Sequence, residues 1–335
     1  MKNFSFLKTL PLIIGLFAFT LNGNAQEDVP FYKSNFKSDV AGFKAATKTL
    51  YEWKIKYNSF LYGQALDKYL EVNKFNPNNS RLNSKIGHCY LNSSDKSKAV
   101  IYFNKAYSLN KNLDGYYVYL MGNSFHINND FDEAIQYYKL SKNNKSQKSA
   151  LYIEEVDKRI KECVYAQKLI KTPVNVEIKV LNEEINTENE EYVSVITADE
   201  SEIFFTSRRK ENVGGKLDAG LGDHFEDVYY SSKEDGKWSE AENLGEPINS
   251  EFHDATVGLS LDGQQLFFYR DNKKGVGNIY VTKREGTSWS EPTQLPSPIN
   301  SKYKETAACY SFDGNTIYFV SDRPGGKGGK DIYRA

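Results

Sequence analysis

The sequence predicts an α + β multidomain chain, in which an N-terminal α-helical repeat solenoid is followed by an incomplete β-propeller. The apolar pattern has a helical period up to Pro173 and alternates along the chain after it. Each half also repeats itself, with a period near 35 residues before Pro173 and near 50 after it. The expected boundaries are 1–25 for a signal peptide, 26–172 for helical repeats with a capping helix, and 173–335 for about three blades.

An apolar run close to the N-terminus predicts export. Lys2 and Lys8 precede the run 10–21, and the small residues "NGNA" follow it before Gln26. The run is shorter than a bilayer-spanning helix requires, so a signal peptide cleaved after Ala25 is the better interpretation. The mature protein is therefore expected to begin near Gln26, beyond the inner membrane.

The net charge limits the classes of binding partner, and the cysteine content indicates whether disulfides form. The formal net charge is −1, which gives no general electrostatic attraction to nucleic acid or to an anionic membrane. Cys89, Cys163 and Cys309 are too few and too scattered for a disulfide framework. Their neighbours are apolar or aromatic, and the expectation is three buried free thiols.

Self-comparison of the first half identifies helix-turn-helix units. The stretch "IGHCYLNSSDKSKAVIYFNKA" returns 35 residues later as "MGNSFHINNDFDEAIQYYKLS". In both copies a small residue, Ala99 or Ala134, precedes an aromatic residue by four positions, which places the two on one helical face. An earlier unit contains "YGQALDKYLEV", and the helical period continues over 149–170 as a predicted cap.

The second half repeats a different unit. The stretch "INSEFHDATVGLSLDGQQLFFY" returns after 51 residues as "INSKYKETAACYSFDGNTIYFV", and "INTENEEYVSVITADESEIFFT" is an earlier copy. Asp-Gly between alternating apolar runs predicts a hairpin, and four short antiparallel strands per unit predict a propeller blade. The segment 174–181 aligns with an outer strand that has no inner strands before it, so we expect it to close the propeller in a longer protein and to be unpaired here.

These motifs resemble two known repeat families. The helical spacing resembles the tetratricopeptide repeat, while "SDRPGG…DIY" and "W-S-E-P…L…INS" resemble the WD-like repeats of TolB-type propellers. In this order, after a signal peptide, they resemble OmpA-family envelope proteins, which include the PorE-type component of the type IX secretion system of Bacteroidota. The resemblance implies a non-enzymatic periplasmic scaffold whose protein partners belong to an outer-membrane secretion or gliding machinery. It also implies that this chain is the N-terminal portion of a longer protein, with peptidoglycan bound only through a C-terminal domain absent here.

No sequence motif predicts catalysis, a cofactor, a metal site or a small-molecule substrate. Zinc-protease, paired-cysteine and nucleophile-elbow signatures are missing, and the four histidines are dispersed. The glycine-rich stretch "RPGGKGGKD" fails the phosphate-loop pattern, because Asp331 follows Lys330 and Pro324 stands at the first glycine position. It is predicted to join two strands. The alternative function is a propeller that gates the catalytic domain of a secreted hydrolase, encoded beyond Ala335.

Two candidate binding sites follow from the repeats. Three carboxylates occupy equivalent positions before the inner strands, namely Glu191, Asp254 and Glu305. They could ring a channel and bind a cation or a basic segment, or form local hydrogen bonds or ion pairs, for example with Arg270 or Arg323.

The second candidate is the concave face of the helical repeats. Its polar and aromatic character suits peptide capture, although a solvated face explains the polar members equally well. The tetratricopeptide pattern selects for it Arg81, Ser84, His88, Asn92, Tyr116, Tyr119, Asn123 and His126.

Overall fold

The computed structural model describes residues 27–143, 149–272 and 275–335. The predicted signal peptide and its cleavage site lie outside these residues. The described chain is helical up to Lys171 and consists of antiparallel strands from Glu191 onward. Across the described ranges, no helix is long and apolar enough to cross a membrane.

The helices pack as antiparallel pairs, followed by a single longer helix. Within the described residues there are seven: α1 (Val40–Asn58), α2 (Tyr62–Phe75), α3 (Ser80–Leu91), α4 (Ala99–Leu109), α5 (Gly115–Ile127), α6 (Phe131–Lys142) and α7 (Ala150–Lys171). This order matches the predicted repeats and the predicted cap.

Small residues and rings account for the close pairing of the helices. A Cβ added at Gly87 would meet the ring of Phe103 at 2.8 Å, and one added at Gly122 would meet the ring of Tyr138 at 2.6 Å. Ala99 and Ala134 are fully buried beside these contacts. The ring of the second helix therefore occupies the space that the glycine of the first helix leaves open.

Side-chain caps fix the starts of several helices. Asn79 accepts a hydrogen bond from the Leu82 N–H at 2.8 Å at the start of α3, and Asp114 accepts one from the Tyr116 N–H at 2.8 Å at the start of α5. Such caps satisfy backbone donors that have no partner within the helix. The N-cap position of α2 is Leu61, whose side chain makes no such bond.

The second half forms three antiparallel sheets in chain order. The first contains β1 (Glu191–Ile196), β2 (Glu202–Ser207), β3 (Asp227–Glu234), β4 (Lys237–Trp238) and β5 (Glu242–Asn243). The second contains β6 (Asp254–Leu259), β7 (Gln265–Arg270), β8 (Asn278–Glu285), β9 (Ser288–Trp289) and β10 (Thr293–Gln294). The third contains β11 (Glu305–Tyr310), β12 (Ile317–Ser321) and β13 (Asp331–Arg334).

The predicted hairpins are present. Gly263 and Gly314 have φ values of +69° and +70°, as the turns of β6–β7 and β11–β12 require. The loop "RPGGKGGKD" joins β12 to the antiparallel β13, as predicted. Its Lys327 and Gly328 N–H groups donate to the Asp331 carboxylate at 3.0 and 3.1 Å, so these donors are already used within the loop.

Apolar clusters lie between neighbouring sheets. Ile248 and Phe268 join Phe204 of the first sheet, and Phe319 of the third sheet packs with Phe267 of the second. Among the described residues the sheets do not close into a ring, and the propeller therefore stays a prediction.

Two further sequence expectations can be compared with the structure. The segment 174–181 forms no strand, and Ile178 is 88% exposed, in line with the expected unpaired strand. The expectation of three buried thiols is wrong for Cys309, which is exposed, whereas Cys89 and Cys163 are buried. Cys309 lies on β11, where side chains alternate between the two faces of the strand, and its side chain falls on the exposed face.

Candidate functional site

Two cavities lie next to each other along helix α3. The first, here the basic cavity, has a volume of about 520 Å³, and its walls include Tyr51, Lys54, Asn79, Arg81 and Lys85. The second, here the polar cavity, has a volume of about 450 Å³. Its walls are His88, Leu91, Asn92, Tyr116, Leu120, Asn123, His126, Ile127, Tyr138 and Arg159. Helix α3 supplies residues to both cavities, and we refer to the two together as the groove.

The basic cavity holds three cations without carboxylate partners. Lys54, Arg81 and Lys85 make no ion pair among the described residues. Burial, together with the charges of Arg81 and Lys54, lowers the pKa of Lys85 to about 8. The carboxylate in the wall, Asp28, accepts hydrogen bonds from the Ser80 N–H at 2.8 Å and the Ser80 hydroxyl at 2.7 Å. The cavity therefore favours an anionic group.

Two tyrosine rings lie close to the ammonium group of Lys85. Its Nζ lies 5.1 Å from the ring centre of Tyr57 and 5.3 Å from that of Tyr69. Contacts of this kind stabilise an ammonium group without neutralising it. The positive charge of Lys85 is thus held in place and remains available to a ligand.

His88 is a neutral ring in the wall of the polar cavity. Its Nδ1 lies 2.6 Å from the Tyr57 hydroxyl, and its Nε2 lies 3.5 Å from the Tyr116 hydroxyl. Burial lowers the pKa of His88 to about 4, so the imidazole is uncharged at neutral pH. One ring nitrogen therefore accepts a hydrogen bond while the other donates.

Most of the predicted concave residues lie in this groove. Arg81 lies in the basic cavity, and His88, Asn92, Tyr116, Asn123 and His126 line the polar cavity. Two of the eight are placed elsewhere. Ser84 is fully buried and donates to the Ser80 carbonyl, whereas Tyr119 packs against Tyr138 and Tyr152.

Sequence reasoning missed several residues of the groove. Lys85 could have been found, because it follows Arg81 by four positions and shares its helical face. Arg159 could not, since it belongs to α7, which the repeat pattern does not cover. Lys54 lies in the first helix of the first unit, where the repeat is weakest.

Each of the three equivalent carboxylates lies next to an arginine that stands at, or two residues beyond, the end of the second strand of its sheet. Asp254 pairs with Arg270 at 2.6 Å and Glu305 with Arg323 at 3.1 Å, and both carboxylates are fully buried. Glu191 lies 3.5 Å from Arg209 Nε.

Each arginine of these pairs also bonds a backbone carbonyl at the entry to the sheet. Arg270 donates to the Ile248 carbonyl at 2.5 Å, and Arg323 donates to the Ile299 carbonyl at 2.6 Å. Burial raises the pKa of Asp254, while Arg270 opposes that shift. The geometry therefore ties the incoming loop to the first hairpin of each sheet. In the described part of the chain, no group of three or more His, Cys, Asp or Glu residues is arranged to hold a metal ion.

Comparison with known proteins identifies the repeat around α3 and α4. Residues 80–113 match the family model described as a tetratricopeptide repeat. The crystal structure of the P58(IPK) TPR domain is similar over 42% of this chain and 39% of that one, with 18% identity and a TM-score of 0.32. This chain thus spans well under half the length of that structure, and no curated protein matches it significantly. The match at 80–113 therefore places Arg81, Lys85, His88 and Asn92 of the groove within one tetratricopeptide repeat.

Proposed function

We propose that the chain is a non-enzymatic protein-interaction scaffold whose helical repeats bind an acidic peptide segment of a partner. The observation that carries this proposal is the basic cavity, where Lys54, Arg81 and Lys85 converge without carboxylate partners in the described residues. Tetratricopeptide repeats suggest a protein-interaction module. The charges in the groove indicate which kind of segment it takes.

Electrostatics favours a carboxylate in the basic cavity. The three cations repel one another, and partial burial strengthens both that repulsion and any attraction to an anion. A bound carboxylate would accept charge-assisted hydrogen bonds from Arg81 and Lys85, which are stronger than neutral ones. It would also raise the pKa of Lys85 towards its ordinary value.

The polar cavity suits the peptide backbone beside that carboxylate. Asn92 and Asn123 offer amide donors and acceptors, and Tyr116 offers a hydroxyl. On α3 the rise from Arg81 to Asn92 is roughly 16 Å, the length of about five extended residues. A short segment with acidic residues at one end matches both cavities.

Peptide titrations test this function. Labelled peptides of about seven residues would be compared by fluorescence anisotropy, one acidic and one with lysines in place of the acidic residues. We expect the acidic peptide alone to bind saturably, with an affinity that falls as salt is added. Lys85→Ala should weaken that binding roughly tenfold, the loss of about 1.4 kcal/mol.

Lys139→Ala is the matched control, because Lys139 lies on the exposed outer face of α6 and away from both cavities. Equal binding of both peptides, or an equal effect of the two substitutions, would exclude the groove as an acidic-peptide site.

The proposal also includes the cellular location of the scaffold. The lysine-flanked apolar run before Gln26 supports export to the periplasm, and the repeat order supports a partner in an outer-membrane secretion machinery of the type IX class. N-terminal sequencing of the protein from a periplasmic extract should begin at Gln26 or close to it. An intact Met1 on the recovered protein would contradict export.

A further inference from the structure

The basic cavity has an apolar wall in addition to its three cations. This wall consists of Pro30, Phe31 and Tyr32 from the segment before α1, and of Leu50 and Tyr51 from α1 itself. A volume of about 520 Å³ lies in the range that encloses most of a small organic molecule, so a carboxylate alone would leave much of it unfilled. The cavity therefore has room for a second group beside the anion.

The segment 28–32 is fixed to the start of α3 by hydrogen bonds. The Val29 N–H donates to the Asn78 carbonyl at 2.7 Å. The side-chain amides of Asn76 and Asn79 donate to the Val29 carbonyl at 2.8 and 3.0 Å, and both asparagines are buried. This part of the apolar wall is therefore in place before a ligand binds, which lowers the ordering cost of binding.

The apolar wall combines anchored and exposed side chains. Phe31 and Leu50 pack against the hydrophobic core of the helical repeats. Tyr32 and Tyr51 are 66% and 75% exposed, although they are large aromatic residues. The wall therefore offers aromatic surface to a ligand, while Phe31 and Leu50 connect it to the core.

The packing of α1 beside α3 sets the order of these features. The hydroxyl of Tyr57 on α1 lies 2.6 Å from Nδ1 of His88 on α3. Nearly two helical turns earlier on the two helices, Tyr51 and Arg81 line the basic cavity together. The two helices therefore run side by side in the same direction. Along them the apolar wall comes first, the cations follow, and the polar cavity lies at the far end.

We propose that the basic cavity binds an acidic residue of the partner together with a neighbouring aromatic residue, which packs against the apolar wall. The inference rests on the proposed function and adds the side chain that stands next to the acid. Aromatic residues bury a large area with few rotatable bonds, and ring pairs add stabilisation beyond that area. Because the polar cavity lies beyond the cations, the aromatic residue should stand at the outer end of the acidic stretch.

Three acidic peptides of about seven extended residues test this inference by fluorescence anisotropy, with both termini blocked. The first carries Phe at the outer end of its acidic stretch, the second carries Ser there, and the third carries Phe at the opposite end. Each is made in both chain directions. We expect the first to bind roughly tenfold more tightly than the other two. Its advantage should persist as salt weakens the binding of all three, because only the acidic contact is screened.

Tyr32→Ala with Tyr51→Ala removes the aromatic surface and keeps the three cations. Both side chains are exposed, so the variant should fold. We expect the advantage of the first peptide over the second to fall below about threefold. Lys85→Ala should instead weaken all three peptides by a similar factor. Tyr165→Ala is the matched control and should preserve the advantage, because Tyr165 is 63% exposed on α7 and lines neither cavity.

The outcomes separate this inference from the proposed function. Equal affinities of the first and second peptides, or an advantage that survives the loss of both tyrosines, would overturn the inference and leave the acidic-peptide function standing. If none of the three peptides bound, the proposed function would fall, and this inference with it.

Discussion

At the scale of single residues, His88 determines how the groove responds to acid. Its ring is enclosed by Tyr57, Tyr62 and Tyr116, and both ring nitrogens face tyrosine hydroxyls. No carboxylate contributes to its pKa, which burial alone lowers. Protonation would thus place an unpaired charge among aromatic rings, which is costly.

The sign of the pH effect follows from this burial. The pKa of His88 falls from 6.5, the value of a free side chain, to about 4 on folding. Below about pH 6.5 the unfolded chain therefore binds a proton that the folded chain does not. Stability should be fully present above this pH and should fall by up to about 3 kcal/mol as the pH drops to 4.

His88→Gln tests this prediction. Glutamine retains a hydrogen-bonding side chain but does not titrate, so the variant should lose less stability than the unaltered protein between pH 7 and pH 4.5. Urea unfolding at both pH values measures the difference. Equal losses in the two proteins would show that other groups cause the acid sensitivity.

At the scale of elements, glycine and tyrosine set the distance between α5 and α6. The ring of Tyr138 lies over Gly122, and its hydroxyl donates to Asn123 at 2.7 Å. A methyl group at Gly122 would meet the ring at 2.6 Å, which the packed core cannot accept without movement. This contact also positions Asn123 and Tyr138 in the wall of the polar cavity.

Gly122→Ala should therefore destabilise the protein, although alanine is the better helix former by about 1 kcal/mol. We expect a net loss of about 1 to 2 kcal/mol from overpacking, measured by urea unfolding. Gly328→Ala is the control, because a Cβ there meets nothing within 4 Å. A stabilised Gly122→Ala protein would mean that the two helices can separate at little cost.

Elements that depend on local patterns could be predicted from the sequence. The spacing of Ala99 and Phe103 indicated the helical units, and Asp-Gly indicated two hairpins. The first hairpin forms without glycine: Glu200 takes a φ of +58°, and Asp199 accepts hydrogen bonds from the Thr197 hydroxyl at 2.7 Å and the Ser201 N–H at 3.1 Å. The approach of distant segments, such as that of Lys54 and Lys85 in the basic cavity, could not be predicted because no local pattern specifies it.

At the scale of the whole molecule, a loop of the first sheet caps helix α2. The Gly63 N–H donates to the Gly220 carbonyl at 2.7 Å, and the Gln64 N–H donates to the Ala219 carbonyl at 3.3 Å. These carbonyls take the place of the missing side-chain cap. The loop also contacts the segment that leads into β6, through an ion pair of Lys216 with Glu251 at 2.7 Å. It therefore joins the helical repeats to the sheets.

Gly222→Val should break this connection. Gly222 has a φ of +83°, and a Cβ there would lie 3.1 Å from the Gly63 Cα. Gly215→Val is the matched control, because Gly215 has a φ of +55° but no neighbour within 4 Å. Hydrogen exchange should show faster exchange at the Gly63 and Gln64 amides in Gly222→Val alone. Equal rates in the two variants would mean that the loop does not protect the start of α2.

Reversing the charge of the basic cavity tests the central claim most directly. Arg81→Glu with Lys85→Glu makes this part of the groove acidic, with Lys54 as the remaining cation in the wall. The account predicts that the variant loses the acidic peptide and binds the lysine-substituted peptide instead, as measured by the same anisotropy titrations. Retention of the acidic peptide, with an affinity close to that of the unaltered protein, would show that the groove is not the binding site.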